Sequence, residues 1–245
     1  MRFSPLPRIV LTILTIFTAL SLVAPLPFAI VLPGDAQNIF NKIITIKNQK
    51  TYPATGRIDL MSIRVTNPNN WIIGPQVIYS WLKADESVYP RAAIYPPNAT
   101  RESENKKAKA DMTNSQDNAT TAALSFLRLH PEFGVTANEL RIKNISFDAK
   151  KTGGPSGGMI FALGVIELLT KKDLLQGRHI AGTGTISTDG KVGPIGGFNE
   201  KIQAAHKAGA TLFLAPAGNS AEIAHTPAGI KVVIVSTLAE AVAAL

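Results

Sequence analysis

The chain has 245 residues, of which 45% are hydrophobic and 17% are charged, a composition typical of a folded protein with a substantial core. Its formal net charge of +8 is compatible with anionic partners, but the basic residues are scattered and aromatic residues make up only 7%. A nucleic acid partner is not expected, because no basic stripe with stacking aromatic residues is present. The absence of cysteine excludes disulfides, zinc–thiolate sites and thiol catalysis.

The N-terminal segment has the features of a membrane anchor. Arg2 and Arg8 precede an uncharged run over 9–32, and a membrane-spanning helix needs about 20 residues. A cleaved signal peptide is the alternative, but no small-x-small cleavage site precedes Pro25. We therefore predict a short basic tail and an uncleaved, single-pass transmembrane segment within residues 1–34. The basic N-terminal tail predicts that the remainder of the chain lies outside the cytoplasm.

The first half of the remaining chain combines short strands with two helices. Apolar residues predict strands over 43–46 and 58–65, and the second of these alternates apolar with polar residues. A short helix is predicted over 76–83, and the proline-rich segment 89–98 is predicted as a loop. A long helix is predicted over 101–129, because its charged first half gives way to small and apolar residues that can pack.

The second half of the chain alternates predicted strands with predicted helices. The strands are predicted over 139–147, 179–186, 211–215 and 231–235, and the helices over 158–170 and 198–208, followed by a short C-terminal helix. This alternation is typical of either an α/β or an α+β domain.

A glycine-rich stretch over 153–158 places a single serine at the start of a predicted helix. Ser156 would lie beside free backbone N–H groups, which stabilise a developing negative charge. Such an environment suits the nucleophile of an acyl-transfer enzyme. The alternative is an ordinary N-cap in a glycine-rich turn, since serine is a preferred N-cap residue. The choice between them depends on whether a base accompanies the serine.

A second glycine-rich turn precedes a helix that carries Lys201 near its start. Phe198, Ile202 and Ala205 recur at helical spacing and predict the buried face of this helix. Lys201 lies about 100° from Ile202 around the helix axis, so it can lean toward the edge of the core. A desolvated lysine can act as a neutral base near pH 7. The alternative is one more surface lysine on an amphipathic helix.

Other apparent motifs lack the spacing or the residue types that their function requires. Segment 184–191 resembles a phosphate-binding P-loop, but five residues instead of four separate its glycines. Val192 also stands where a P-loop has the hydroxyl residue that binds magnesium. The four histidines have no metal-ligand spacing, and no metal or organic cofactor is expected.

Four motifs, in matching order and spacing, resemble the proteolytic domain of Lon-type proteases. They are Gly-Pro-Ser-Gly-Gly at 154–158, Ile-Ala-Gly-Thr-Gly-Thr-Ile at 180–186, Gly-Lys-Val with Pro-Ile-Gly-Gly within 190–197, and Glu-Lys with Ala-Ala within 200–205. The match is strongest over 140–222 and extends more weakly upstream to the helix around 119–127. The chain looks most like the small, membrane-anchored bacterial Lon-like peptidases that lack an ATPase domain.

This resemblance implies a role for several residues. Ser156 is implied as the nucleophile, Lys201 as the general base, and Thr183 as the hydroxyl that orients the lysine. Three neighbours of the serine are implied as supporting residues: Gly154, Pro155 and Gly157. The neutral amine would take the serine proton and later return it to the leaving amine. Backbone N–H groups at the start of the helix over 158–170 would contribute to an oxyanion hole.

The resemblance also implies a fold and an activity. We expect a single α+β Lon-type peptidase domain over 35–245, with a mixed sheet and packed helices. We expect an ATP-independent serine endopeptidase that hydrolyses unfolded or membrane-proximal polypeptides. Its expected partners are polypeptide substrates, a membrane, and copies of itself in a homo-oligomeric ring.

The chain departs from the family pattern in ways that leave alternatives open. It has no room for an ATPase domain, and we recognise no PDZ segment that would capture substrates. Gly153 stands where ATP-dependent members usually have an acidic residue, and Gly157 replaces the commoner alanine. One alternative is a catalytically silent Lon-like scaffold for binding or assembly. Another is a Ser–Lys enzyme of the signal-peptidase type, which would also carry an N-terminal span.

Overall fold

The computed structural model describes residues 7–135, 142–149 and 152–245. The chain folds into two compact units, a smaller one formed by 1–32 and 65–101 and a larger one formed by 33–64 and 102–245.

Helices and strands alternate along most of the described chain. The helices are α1 (Arg8–Val23), α2 (Gly74–Trp81), α3 (Arg91–Ile94), α4 (Arg101–Leu129), α5 (Gly158–Leu169), α6 (Phe198–Lys207) and α7 (Leu238–Ala243). The strands are β1 (Phe28–Asn38), β2 (Ile44–Ile46), β3 (Arg57–Val65), β4 (Ser87–Pro90), β5 (Ile145–Phe147), β6 (His179–Gly182), β7 (Thr185–Ile186), β8 (Val192–Gly193), β9 (Leu212–Pro216) and β10 (Lys231–Val235). Short 3₁₀ helices span Pro131–Phe133, Ile142–Asn144 and Ala217–His225.

The apolar run that predicts an anchor is divided between two elements. Helix α1 ends at Val23, because Pro25 and Pro27 cannot continue a helix and the residue before a proline prefers an extended backbone. The chain then enters β1 at Phe28, so the last part of the run is a strand. Within the described part of the chain, no helix is long and apolar enough to cross a membrane.

The smaller unit has its own apolar cluster. The first part of β1 pairs antiparallel with β4, from Phe28 opposite Pro90 to Val31 opposite Ser87. Ile30, Ile72 and Val77 form the buried centre of this unit. The segment predicted as a loop over 89–98 is wrong in part, because it contains the end of β4 and the short helix α3. Four successive residues without proline, from Arg91 to Ile94, allow this helical turn.

The larger unit is built around parallel strands. Strand β3 pairs parallel with β6, β6 with β9, and β9 with β10. The antiparallel ladders β2 with β5 and β7 with β8 form two separate two-stranded sheets. Parallel and antiparallel strand pairs therefore occur together with packed helices, and the predicted α+β class is confirmed. The boundaries 1–34 and 35–245 stay a prediction.

Helix α5 lies at the centre of the larger unit. Eleven of its twelve residues are buried, so it is apolar on all sides. It packs in one cluster with residues of the parallel strands, of α4 and of α7, including Leu60, Leu127 and Leu238. The start of α5, and the loop that precedes it, are therefore fixed against the core.

Most predicted elements of the larger unit are confirmed within a residue or two. Two predicted strands differ from the structure. The first, predicted over 179–186, is interrupted after β6. Thr183 and Gly184 leave the strand, because their N–H groups donate to Leu214 O and Ser156 O. The strand predicted over 139–147 is confirmed only as β5, and residues 136–141 lie outside the described residues.

Candidate active site

The loop before α5 brings its backbone close to neighbouring elements. Gly154 has a φ of 88°, a conformation that side-chain-bearing residues rarely adopt, and its N–H donates to Ala108 O at 2.8 Å. A Cβ on Gly157 would lie only 2.6 Å from Cδ1 of Leu60. The backbone conformation therefore favours glycine at 154, and a larger residue at 157 would require the end of the Leu60 side chain to move, which agrees with their predicted supporting role. The hydroxyl of Ser115 on α4 donates to Pro155 O at 2.9 Å and holds the loop from the other side.

The backbone carbonyl of Ser156 accepts hydrogen bonds from the two residues that separate β6 from β7. The N–H of Gly184 donates to Ser156 O at 2.8 Å, and Thr183 Oγ1 donates to the same oxygen at 3.1 Å. The serine backbone is thus held by two donors. The side chain stands in a turn and is partly exposed, and α5 follows directly.

Lys201 lies on the buried side of α6. Gly197 precedes the helix in a left-handed conformation with φ 67°, and the predicted stripe of Phe198, Ile202 and Ala205 is buried. Lys201 is only 2% exposed, and its Nζ donates to Thr183 Oγ1 at 3.3 Å. A continuous path of hydrogen bonds therefore runs from the lysine amine through Thr183 to the serine carbonyl.

The burial of Lys201 changes its protonation. Desolvation lowers its pKa from 10.5 to about 7, because an ammonium group is disfavoured away from water. The neighbouring carboxylate of Glu200 acts in the opposite direction and raises the pKa. Glu200 is itself only 1% exposed, and neither of its carboxylate oxygens has a hydrogen-bond partner among the described residues. The lysine is therefore substantially neutral near pH 7, as a base requires.

Ser156 and Lys201 line the same cavity of about 660 Å³. The cavity lies entirely within the larger unit and is open along one side. Its lining comes from the ends of β1 and β3, the serine loop and the turn before α6: Asp35, Met61, Ser62, Ile63, Arg64, Thr152, Gly153, Gly154, Pro155, Ser156, Thr185, Pro194, Ile195, Gly196 and Lys201.

Some of the predicted site residues line the cavity, and the others are buried behind its wall. Ser156, Lys201, Gly154 and Pro155 line the cavity, while Thr183 lies behind them and is 1% exposed. Gly157 is buried against the core. Their positions agree with the predicted roles, and the catalytic roles themselves stay predictions.

The first N–H groups of α5 are already engaged. Gly158 N donates to Pro155 O at 3.3 Å, and Met159 N donates to Gly184 O at 3.1 Å. These two donors cannot also bind an oxyanion without breaking those bonds. Among the described residues, no backbone acceptor is found for the N–H groups of Ser156 and Gly157, which directly precede the helix. The oxyanion hole itself stays a prediction.

Sequence reasoning missed three features around this site. The burial of Glu200 is one, although its place in the Glu-Lys pair marked it as a neighbour of the lysine. Ser115 is another, because the sequence of α4 alone does not show which residue faces the serine loop. The third is the presence of two charged residues, Asp35 and Arg64, in the cavity wall, since they come from strands distant in sequence.

Neither a cluster of metal-ligating side chains nor a phosphate-binding loop is found among the described residues. Among the described residues, no group of three or more His, Asp or Glu side chains is placed to hold a metal ion. Segment 184–191 forms the turn between β7 and β8, with Ser187 N donating to Lys191 O at 3.0 Å. It is therefore a β-hairpin and not the strand–loop–helix unit of a phosphate-binding loop.

A serine that shares a cavity with a buried lysine of lowered pKa, on an α+β scaffold, is typical of the Ser–Lys class of serine peptidase site. Comparison with known families agrees, because residues 109–245 match the Lon protease (S16) C-terminal proteolytic domain. The chain belongs to this family of serine peptidases, and the resemblance noted in its sequence is confirmed.

Individual Lon proteases are similar over the same part of the chain. Lon protease 1 of Sorangium cellulosum is 36% identical over 131 residues, which are 50% of this chain and 16% of that protein. Lon protease 1 of Herpetosiphon aurantiacus is 36% identical over 115 residues, 44% of this chain and 14% of that protein. Lon protease of Clostridioides difficile is 40% identical over 103 residues, 42% of this chain and 13% of that protein. The chain thus matches less than a fifth of the length of these relatives.

Proposed function

We propose that this chain is an ATP-independent serine endopeptidase that cleaves unfolded or membrane-proximal polypeptides with Ser156 and Lys201. The observation that carries the proposal is the burial of Lys201. A lysine that is 2% exposed, with a pKa of about 7, lines the same cavity as the serine. A lysine at an ordinary surface position has no comparable reason to be neutral.

In the proposed reaction, the neutral Lys201 amine takes the proton of the Ser156 hydroxyl while Oγ attacks the substrate carbonyl carbon. The carbonyl oxygen becomes an oxyanion, which the N–H groups of Ser156 and Gly157 stabilise. The lysine ammonium then gives its proton to the leaving amine, the peptide bond breaks, and an acyl-enzyme remains. Water attacks this ester while Lys201 accepts a proton from it. The lysine ammonium then returns this proton to Ser156 Oγ as the ester bond breaks, and the second product leaves as a carboxylic acid. Thr183 holds the lysine amine in position throughout.

The open cavity supports an extended polypeptide as the substrate. It is lined largely by consecutive residues of three segments, 61–64, 152–156 and 194–196. Such segments present backbone groups that can pair with a substrate main chain, a mode that tolerates many sequences. The relatives are named Lon proteases, and this name also supports a polypeptide substrate.

The proposed independence from ATP rests on the structure of the segment that resembles a P-loop. The hairpin formed by β7 and β8 occupies the place of the apparent P-loop, and it offers no helix N-terminus to a phosphate. We expect no change in peptidase activity on addition of ATP with magnesium. A micromolar ATP affinity in calorimetry, or stimulation of cleavage by ATP, would contradict this part of the proposal.

The central test is cleavage of an unfolded protein by the full chain in detergent or vesicles. We expect casein to be cleaved by the wild type and left intact by Ser156→Ala. Ser187→Ala, in the turn between β7 and β8 and outside the cavity lining, provides a matched control and should retain activity. A wild-type chain that binds casein without cleaving it would favour the alternative of a catalytically silent scaffold.

Assembly and location are further parts of the proposal. We propose a homo-oligomer of the ring type implied by the family resemblance, to be measured as molar mass by light scattering. We also propose membrane attachment through α1, with the larger unit outside the cytoplasm. The apolar residues of α1 are uncharged from Ile9 to Val23 and none is buried, which supports this attachment. Membranes extracted with alkaline carbonate should retain the protein, and a soluble chain would contradict this part.

A further inference from the structure

The outward face of helix α2 in the smaller unit is apolar. Val77 and Ser80 point into the unit and are buried. On the opposite side stand four large side chains: Ile78 at 58% exposure, Tyr79 at 60%, Trp81 at 74% and Leu82 at 82%. Ile78, Trp81 and Leu82 recur at i, i+3 and i+4, so they share one face of the helix.

This arrangement is unusual for a helix in water. A surface helix buries its apolar stripe and presents charged residues outward, whereas α2 presents its largest apolar residues to solvent. Scattered exposed apolar residues need no explanation, but a contiguous set marks a surface that binds something. Trp71, which lies shortly before the helix, is also 74% exposed. We name Trp71, Ile78, Tyr79, Trp81 and Leu82 together the α2 patch.

The chemistry of the α2 patch suits the boundary between lipid and water. Tryptophan and tyrosine concentrate there, because their rings are amphipathic. Lys83 lies over the ring of Tyr79 at 4.5 Å and its Nζ pairs with Glu86 at 2.8 Å. This lysine can keep its charged end toward water while its aliphatic stem covers the apolar surface.

Helix α1 adjoins α2 within the same unit. A Cβ on Gly74, the first residue of α2, would lie 3.2 Å from the carbonyl oxygen of Ser21 near the end of α1. Helix α1 exposes apolar residues on every side and has no buried residue. One partner protein surface covers only one side of a helix, whereas lipid surrounds it. The segments of this unit also carry five basic residues against two acidic ones: Arg2, Arg8, Lys83, Arg91 and Arg101 against Asp85 and Glu86.

We propose that the α2 patch inserts into the interfacial region of a lipid bilayer that contains anionic lipids. This inference rests on the proposed membrane attachment through α1 and adds a second contact to it. Two contacts fix the orientation of the smaller unit on the membrane, which a single helix cannot do. Lipid is favoured over a second copy of the chain because the patch is aromatic, its unit is basic, and it continues into a helix that is apolar all round.

The two tryptophans of the chain, Trp71 and Trp81, both belong to the α2 patch, so intrinsic fluorescence reports on this surface alone. The full chain is mixed with vesicles of phosphatidylcholine and phosphatidylglycerol. We expect the tryptophan emission to shift to shorter wavelength and to be quenched by lipids brominated near the headgroup end of the acyl chain. Trp71→Phe and Trp81→Phe each leave one reporter, and each remaining tryptophan should still be quenched.

Serine substitutions test whether the patch contributes to binding. The double variant Ile78→Ser, Leu82→Ser should weaken vesicle partitioning about tenfold or more. Each substitution removes a large apolar group from the face that would enter the lipid. Leu129→Ser is the matched control, because Leu129 is 78% exposed and lies on α4 of the other unit. It should partition like the wild type.

Three outcomes would overturn the inference, and they are distinguishable. Sedimentation with vesicles without any spectral shift or bromolipid quenching would contradict the α2 patch but leave attachment through α1 intact. Failure to sediment with vesicles would contradict the proposed attachment, and the inference with it. A spectral shift that grows with protein concentration in the absence of lipid would identify a second copy of the chain as the partner.

Discussion

The pH dependence of peptide cleavage tests the role of Lys201 most directly. A lysine with the ordinary pKa near 10.5 is neutral in only about one molecule in 3,000 at pH 7. With the pKa lowered to about 7 by burial, half of the molecules carry the neutral amine at that pH. Burial therefore increases the reactive form by roughly three orders of magnitude. The proposed base is effective at neutral pH only because it is buried.

We expect kcat/KM to rise with pH through the lysine pKa and then to level off. The deprotonated amine is the active form, so the rate at pH 5 should be about a hundredfold below the plateau. An internally quenched peptide cleaved under subsaturating conditions gives this profile. Lys201→Arg should lose roughly a thousandfold or more at every pH, because a guanidinium stays protonated in proteins.

The matched control is Lys207→Arg, which changes an exposed lysine on the same helix α6. This variant should keep the wild-type rate and the wild-type profile. Circular dichroism establishes that both arginine variants are folded. The Ser156→Ala, Lys201→Arg double variant should be little worse than either single change, since the two residues act as one unit. A Lys201→Arg variant with near wild-type activity, or a wild-type rate independent of pH between 5 and 8, would refute the proposed base.

Three further variants probe the surroundings of the site. Thr183→Val should lower kcat about tenfold to a hundredfold with little change in KM, because it removes a buried hydrogen bond to Lys201; steady-state kinetics decides, and Thr183→Ser should be nearly normal. Glu200→Gln should move the rising limb of the pH profile to lower pH, because the carboxylate raises the pKa of Lys201; an unmoved limb would show that its charge is irrelevant. Burial raises the pKa of Glu167 to about 7, so its contribution to stability is complete below pH 4.5 and is lost as the pH rises through 7. Glu167→Gln should therefore be more resistant to urea than the wild type at pH 8 but not at pH 4.5.

The sequence was sufficient to predict those parts of the site whose positions follow from a local pattern in one helix. The spacing of Phe198, Ile202 and Ala205 placed Lys201 beside the core, and the structure confirms this burial. The glycines around Ser156 predicted a tight turn before a helix, which α5 and its preceding loop confirm. In both cases one amphipathic or apolar helix determines the position of its neighbours.

The sequence was insufficient where an element depends on contacts far along the chain. An apolar run can be a helix or a strand, and the choice for residues from Phe28 onward depends on strand pairing, for example with β4. The strand predicted over 179–186 is interrupted because Gly184 bonds to the serine loop, a contact that periodicity cannot reveal. The bond from Met159 N to Gly184 O is another contact of this kind, and the predicted oxyanion role of the helix start stays a prediction.

The burial of Lys201 has a consequence for folding. In the unfolded chain this amine has a pKa near 10.5 and is protonated at neutral pH, whereas in the folded chain its pKa is about 7. Folding between pH 7 and 10.5 therefore releases a proton, about half of one at pH 7, where the lowered pKa costs about 4 kcal/mol of stability, a large fraction of a typical domain stability. Because the unfolded chain binds more protons between pH 7 and 10.5, stability rises with pH across that window. The proton that Lys201 releases on folding is the same proton that it must lose to act as a general base.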